Sequence, residues 1–211
     1  FQAIKHDLWD WDFPASPNLV TVTRKGARVE AVAQITKTGY VFVLNRKTGE
    51  PLFPIEYRKA PPSDIDGENI AETQPHPVKP PPFTRQRFTE DMVTKRTPEA
   101  HAAVLAEFRK LRSGELFTPP SREGTIIFPG VDGGAEWGGA AFDPETALLY
   151  VNSNEMPWIM RLIPNSDRSV YTSKCATCHR EDRTGTTVAP SLVDIGKRKS
   201  RDEIAAIIRE G

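Results

Sequence analysis

Val29-Glu-Ala-Val-Ala-Gln-Ile35, Thr36-Lys-Thr-Gly39 and Tyr40-Val-Phe-Val-Leu44 follow one another without a break. In the first piece Val29, Ala31, Ala33 and Ile35 alternate with polar or small neighbours, the period of a strand with one buried face. Thr36 to Gly39 is turn chemistry, and Tyr40 to Leu44 is an apolar run rich in β formers. Asn45-Arg-Lys-Thr-Gly49 makes a second turn, after which Pro51 to Ile55 resumes an extended segment. Short strands joined by Gly-containing turns predict hairpins.

The unit recurs. Gly39 to Thr48 resembles Gly138-Gly-Ala-Ala-Phe-Asp143-Pro-Glu-Thr146, and each copy is followed by another extended run, Leu148 to Asn152 in the second. A repeating strand–turn–strand unit predicts a mainly β chain with radial repetition, the propeller pattern.

Composition bounds the rest. Across 211 residues, 28 basic side chains balance 28 acidic ones, so there is no cationic excess for phosphate and no nucleic-acid partner is expected. A hydrophobic fraction of 38% and a mean hydropathy of −0.47 describe a soluble chain able to bury a core. No apolar run approaches the roughly 18 residues of a transmembrane helix. Proline is abundant, with seven between Pro61 and Pro82, so 61–87 reads as a long surface excursion. Thr97-Pro-Glu99 opens a helix with Ala102, Leu105, Phe108 and Leu111 at helical spacing, stopped by Gly114 and expected to pack outside a sheet. The chain starts at Phe1 without Met and stops at Gly211 straight after a helical pattern, which reads as a fragment and gives missing targeting signals no weight.

Cys175-Ala-Thr-Cys178-His179 contains the only two cysteines. Two thiols on one helical turn can form thioethers to both haem vinyl groups, and the adjacent His179 can ligate the iron. Zinc would want four ligands, and a thioredoxin-type pair would want a βαβ context; neither is visible. A chance occurrence of CxxCH is the bland alternative. Tyr171 to His179, then Ala189-Pro-Ser-Leu192, then a helix opened by the capping box Ser200-Arg-Asp-Glu203 resembles the N-terminal part of a class I cytochrome c. That resemblance implies that the Pro190 carbonyl accepts the N–H of the axial His179. Met92, Met156 and Met160 all precede the motif, which leaves the sixth ligand unassigned. A domain boundary is expected at 165/166, with a partial propeller over 1–165 and part of a cytochrome c domain over 166–211.

His6-Asp-Leu-Trp-Asp10, Gln34 to Leu44, Gly114-Glu-Leu-Phe-Thr-Pro-Pro120, Glu136-Trp-Gly-Gly139 and Leu162-Ile-Pro164 together resemble the propeller of pyrroloquinoline quinone (PQQ) dehydrogenases, nearest the membrane-type glucose dehydrogenases. The resemblance implies part of an eight-bladed β-propeller, followed here by a small α-helical cytochrome c segment. It implies PQQ and Ca²⁺ as cofactors, the Ca²⁺ ligands lying outside this chain, with haem c held by Cys175, Cys178 and His179. By motif match Asp10 corresponds to the general base and Lys37 to the lysine at the quinone carbonyl, while Trp137 and Asn152 lie where the family approaches the cofactor. A base for the hydroxyl proton and a cation for the carbonyl that gains electron density suit oxidation of an alcohol. Trp9 and Trp11, flanking Asp10, are expected to exclude water partly and raise its pKa. Asp7 and Asp12 are read as structural, and His6, His76 and His101 as solvated or core histidines. The bland alternatives are a surface Asp10 and a turn-solvating Lys37.

The resulting expectation is a portion of a periplasmic quinohaemoprotein dehydrogenase. It would oxidise a sugar or alcohol through PQQ and pass electrons to haem, then to a quinone or cytochrome acceptor; the chain alone is expected to be inactive. The competing readings are a c-type electron-transfer protein with a non-catalytic β docking module, and a propeller that only binds a partner.

Overall fold

The computed structural model describes residues 1–164 and 167–210, with only the backbone of 167–169. The chain forms two compact units, Phe1–Leu162 and Ile163–Gly211. The boundary expected at 165/166 falls on residues outside the described ones.

The first unit is mainly β. Strands β1 (Asn18–Arg24), β2 (Ala27–Ile35) and β3 (Val41–Asn45) form an antiparallel sheet in the order β1-β2-β3. Val20 faces Ala31, and Ala33 faces Val43. Ala31, Ala33 and Ile35 are buried, so the alternation in β2 is the inward face of the sheet. With Val20, Val41 and Ala135 they make one of two cores. The turn into β2 is Lys25-Gly26, both at positive φ, the geometry of a two-residue hairpin loop. At the far end, Asn45 Oδ1 accepts from Lys47 N and Thr48 N, and Leu52 N returns to Val43 O.

The second copy of the unit is β7 (Ala140–Asp143) and β8 (Leu148–Val151), an antiparallel pair. Here Asp143 Oδ1 accepts from Glu145 N, so both copies fold on an acceptor side chain at the same place in the turn.

The proline-rich stretch departs from expectation. It contains β5 (Thr73–Pro77), paired with β4 (Ile55–Lys59), and Gln74 and His76 are buried. A two-stranded sheet has only edges, so Pro75 and Pro77 cost no ladder bond there. Two backbone groups of Lys5 hold β5 from the other side, since Gln74 Oε1 accepts from its N–H and Gln74 Nε2 donates to its carbonyl. The helix α1 (Pro98–Phe108) is capped by Thr97, whose Oγ1 accepts from Ala100 N, but ends before Gly114. Arg112 is the reason: its N–H and carbonyl are engaged by Gly124 and Ile126, which pulls the chain alongside β6 (Thr125–Ile127). β6 pairs with β9 (Trp158–Met160).

The second core is aromatic. Trp9 and Trp11, both almost fully buried, stack at 5.4 Å, and Phe117 meets each edge-on. Both indoles are satisfied: Trp9 Nε1 donates to Thr118 O and Trp11 Nε1 to Gly130 O.

The second unit is helical, with α2 (Asp167–Lys174), α3 (Ala176–His179), α4 (Ile195–Arg198) and α5 (Arg201–Glu210). The capping box of α5 is formed, since Ser200 N donates to Glu203 Oε2 and Glu203 N to Ser200 Oγ. No helix among the described residues is long and apolar enough to cross a membrane.

Candidate active site

Segment 7–12 presents its charges by a simple device. Trp9 and Trp11 turn into the core, so Asp10 and Asp12 face the other way. Asp7 holds the bend, accepting from Trp9 N with one carboxylate oxygen and from Trp11 N with the other. Asp10 itself sits at φ 62, a left-handed position that Asp tolerates better than most residues.

Opposite lies the turn between β2 and β3. Thr36 Oγ1 donates to Tyr40 O and lies 2.7 Å from Thr38 Oγ1, Gly39 N donates to Thr36 O, and Gln86 Nε2 donates to Thr38 O. Every residue of this turn is buried, Lys37 among them at 5% exposure. It is not a turn-solvating lysine.

Gly133 and Gly134 allow this packing. Gly134 N donates to Lys37 O at 2.6 Å. A Cβ on Gly133, at φ +72, would fall 2.3 Å from Lys37 Cγ, and one on Gly134 would fall 2.9 Å from Gly39 Cα.

The ammonium is held by oxygen atoms alone. Lys37 Nζ is 2.6 Å from Asp12 Oδ1 and 2.8 Å from the Asp10 carbonyl, and 3.4 Å from both Asp10 Oδ2 and Glu136 Oε1. Burial pulls the Lys37 pKa down, yet the hydrogen bond and charge of Asp12, joined by Asp10 and Glu136, outweigh it and hold the pKa above the ordinary lysine value.

Three expectations need correcting or extending. Asp12, read as structural, makes the shortest contact to Lys37. Glu136 joins the site as well, its Oε2 accepting from Trp137 N. Trp9 and Trp11 do not shield Asp10: their rings are in the core and the Asp10 side chain is 73% exposed, so water reaches its carboxylate. The signal for Asp12 was in the sequence, since alternation of Trp and Asp from 9 to 12 places both carboxylates on one side. Glu136 stands in the Glu136-Trp-Gly-Gly139 segment, but nothing local signalled its contact with Lys37, 99 positions earlier.

Trp137 is 83% exposed and presents a broad apolar surface beside Glu136. Asn152 is exposed; a Cβ on Gly138 would lie 3.7 Å from its Nδ2. Asn154 N donates to Gly134 O, tying the end of β8 to the glycine pair behind Lys37. The donor set suits a flat, oxygen-rich ligand: an ammonium for a carbonyl, an indole face, an amide and a backbone kept thin by glycines. PQQ fits these residue types; Lys37 is brought together with Asp10, whereas among the described residues neither Trp137 nor Asn152 makes a hydrogen bond or ion pair with Lys37. Among the described residues no group of three or more His, Cys, Asp or Glu is placed to hold a metal ion.

His76 takes no part in this site. Its Nδ1 lies 3.2 Å from Tyr40 Oη and its ring packs on Phe117; burial, then the charge of Arg58, lowers its pKa from 6.5 to about 4. His6 Nε2 contacts Glu68, and His101 Nδ1 contacts Thr94 O.

In the second unit, Cys175 precedes α3 and Cys178 and His179 lie on it. His179 Nδ1 is 2.8 Å from Pro190 O, which leaves Nε2 free for another partner. Cys175 and His179 line a cleft of about 470 Å³ whose other walls include Leu192, Ile195, Ile204 and Ile208. Ile207 and Ile208 are 51% and 74% exposed, so the apolar side of α5 is uncovered. An apolar cleft with one free imidazole nitrogen and a thiol at its wall fits haem.

A family model described as "PQQ: Glucose/ethanol/alcohol dehydrogenase, beta-propeller domain" matches residues 1–204. The chain belongs to this family. Within it, the chain is 35% identical over 170 residues to the quinoprotein glucose dehydrogenase of Escherichia coli (strain K12), covering 78% of this chain and 20% of that protein. It is 36% identical over 168 residues to the quinoprotein glucose dehydrogenase of Gluconobacter oxydans (strain 621H), covering 78% and 20%. It is 33% identical over 171 residues to the quinate/shikimate dehydrogenase (quinone) of Acinetobacter baylyi (strain ATCC 33305 / BD413 / ADP1), covering 81% and 21%. This member of the PQQ dehydrogenase family thus spans about a fifth of the length of these relatives.

Proposed function

We propose that this chain is the Asp10–Lys37 portion of an eight-bladed quinoprotein propeller, over 1–165, joined to part of a c-type cytochrome over 166–211. The protein bearing it is a periplasmic quinohaemoprotein dehydrogenase that oxidises a sugar or alcohol. Its electron acceptor beyond the haem is a quinone or cytochrome, and its Ca²⁺ is held by residues outside this chain. The observation that carries the reading is the buried Lys37 ammonium set against the exposed Asp10 carboxylate, in a chain of the PQQ dehydrogenase family.

PQQ, when bound, supplies a two-electron acceptor. The chain contributes position, charge and a base. Asp10 Oδ2, open to solvent, takes the proton of the substrate hydroxyl as its carbon is oxidised. Lys37 donates a hydrogen bond to a quinone carbonyl, where a fixed cation stabilises developing negative charge at no cost in reorganisation. Asn152 adds an amide donor and Trp137 an apolar face. Cys175 and Cys178 would hold a haem through thioethers and His179 Nε2 would ligate its iron, which would supply one-electron transfer. Periplasmic location follows from the chemistry of c-type haem attachment.

Reduction of haem by substrate tests the reading. The protein bearing this chain is expressed with a cytochrome maturation system and supplied with Ca²⁺, with or without PQQ. A sugar or alcohol should reduce the haem only when PQQ is present. Absence of any substrate-dependent reduction with PQQ bound, across a panel of sugars and alcohols, would overturn it.

A further inference from the structure

We infer that Asp12 is the positioning residue for Lys37: with the Asp10 carbonyl it makes the closest contacts to the ammonium and leaves a quinone oxygen to displace only the long contacts to the Asp10 and Glu136 carboxylates. The inference rests on the reading of Lys37 as the quinone contact.

The distances divide the four oxygen neighbours into two classes. Asp12 Oδ1 at 2.6 Å makes the shortest ion pair and Asp10 O at 2.8 Å accepts a full hydrogen bond. Asp10 Oδ2 and Glu136 Oε1, both at 3.4 Å, are at the outer limit of a hydrogen bond. An ammonium has three donors for these four oxygens. The two long contacts are therefore the more weakly held.

Distance, and not exposure, makes the division. The Lys37 stem is closed in by Gly133, where even a Cβ has no room. Solvent reaches all three carboxylates, the Asp10 side chain being 73%, Asp12 61% and Glu136 35% exposed. A ligand oxygen reaching Lys37 displaces the long contacts more readily than the short ones.

Asp12 suits the task better than Glu136 does. Trp11, locked by its own hydrogen bond to Gly130 O, fixes the backbone next to Asp12. Glu136 spends its other oxygen on Trp137 N. Losing the Asp12 charge would let the ammonium swing toward Asp10 and Glu136, because a buried cation seeks whatever anion remains. Those contacts would then be shorter and harder for the quinone to displace.

Asp12 is also the main source of the upward push on the Lys37 pKa, and the other charged groups facing Lys37 are Asp10 and Glu136. Removing it should make the ammonium lose its proton at a lower pH.

The test is a titration of the PQQ-free dehydrogenase bearing this chain with PQQ, from neutral pH to about pH 11.5, past the ordinary lysine range. Parent, Asp12→Asn, Asp12→Glu, Lys37→Ala and the Asp12→Asn/Lys37→Ala pair are compared by binding alone. Asp12→Asn, nearly isosteric, should weaken PQQ binding about tenfold and move its alkaline fall-off to lower pH. Asp12→Glu should regain part of the affinity, and Asp12→Asn should add nothing once Lys37 is Ala. Additive losses in the pair, or an unmoved alkaline limb in Asp12→Asn, would overturn the inference while leaving a defect in Lys37→Ala to support the quinone contact. Parental binding by Lys37→Ala would overturn the quinone contact and the inference with it.

Discussion

The two units build their candidate sites in opposite ways. In the helical unit the chemistry is local: Cys175, Cys178 and His179 fall within five consecutive positions, and the partner of His179 is Pro190, eleven residues on. In the β unit the Lys37 ammonium gathers oxygens from Asp10, Asp12 and Glu136, which lie 27, 25 and 99 positions away, and its neighbours are fixed by two buried indoles. A local site survives as text because helical spacing and residue order are the same thing. A long-range site is written only in the packing that brings distant loops together.

The largest effect expected concerns the local site. Cys175→Ala/Cys178→Ala should remove covalent haem entirely, read by haem stain on a denaturing gel. The denaturation midpoint of the β unit, which holds all four tryptophans at 9, 11, 137 and 158, should be unchanged. Unaltered haem stain would break the contrast by removing the site from the helical unit.

Trp9→Ala should act in the reverse sense. Truncating a fully buried indole costs about 3–5 kcal/mol, and here also leaves Thr118 O without its donor. Chemical denaturation followed by the remaining tryptophans should fall in midpoint by that amount, while haem attachment persists.

Gly133→Ala probes how tightly Lys37 is seated. A methyl 2.3 Å from Lys37 Cγ at a left-handed position should destabilise the β unit by roughly 1–3 kcal/mol. It should also weaken PQQ binding, whereas an alanine at Gly26, whose Cβ meets nothing within 4 Å, should leave PQQ binding alone.

The last effect is a pH dependence confined to the β unit. His76 titrates near 6.5 when unfolded and about 4 when folded, so below 6.5 the unfolded state binds the proton more readily. Its contribution is complete above about 6.5 and is lost as pH falls toward 4. Denaturation of the parent and of His76→Gln should diverge over that window; parallel pH profiles would show that His76 carries no such linkage.

The same contrast explains what could be read beforehand. The strands around Lys37 follow from a period of two, and the helix starts from Thr97 and from the Ser200–Glu203 capping box, because these are local rules. β5 was hidden by its prolines, which matter less in a two-stranded sheet than inside a larger one. The early end of α1 is set by bonds from Arg112 to Gly124 and Ile126, and no signal near Phe108 announces them. At the site, Asp10 and Lys37 are visible through the family resemblance, whereas the role of Asp12 emerges from a distance and that of Glu136 from the folding of a remote loop.

The central claim is that Asp10 is a base and Lys37 a contact for the quinone. The most direct measurement is PQQ affinity and kcat of Asp10→Asn in the dehydrogenase that bears this chain. Asn keeps the backbone carbonyl that binds Lys37 and removes the proton acceptor together with the long charge contact to Lys37. The account predicts nearly parental PQQ affinity with kcat lower by about 10²–10⁴-fold. A near-parental kcat would contradict it and leave Asp10 as one more carboxylate beside a buried lysine.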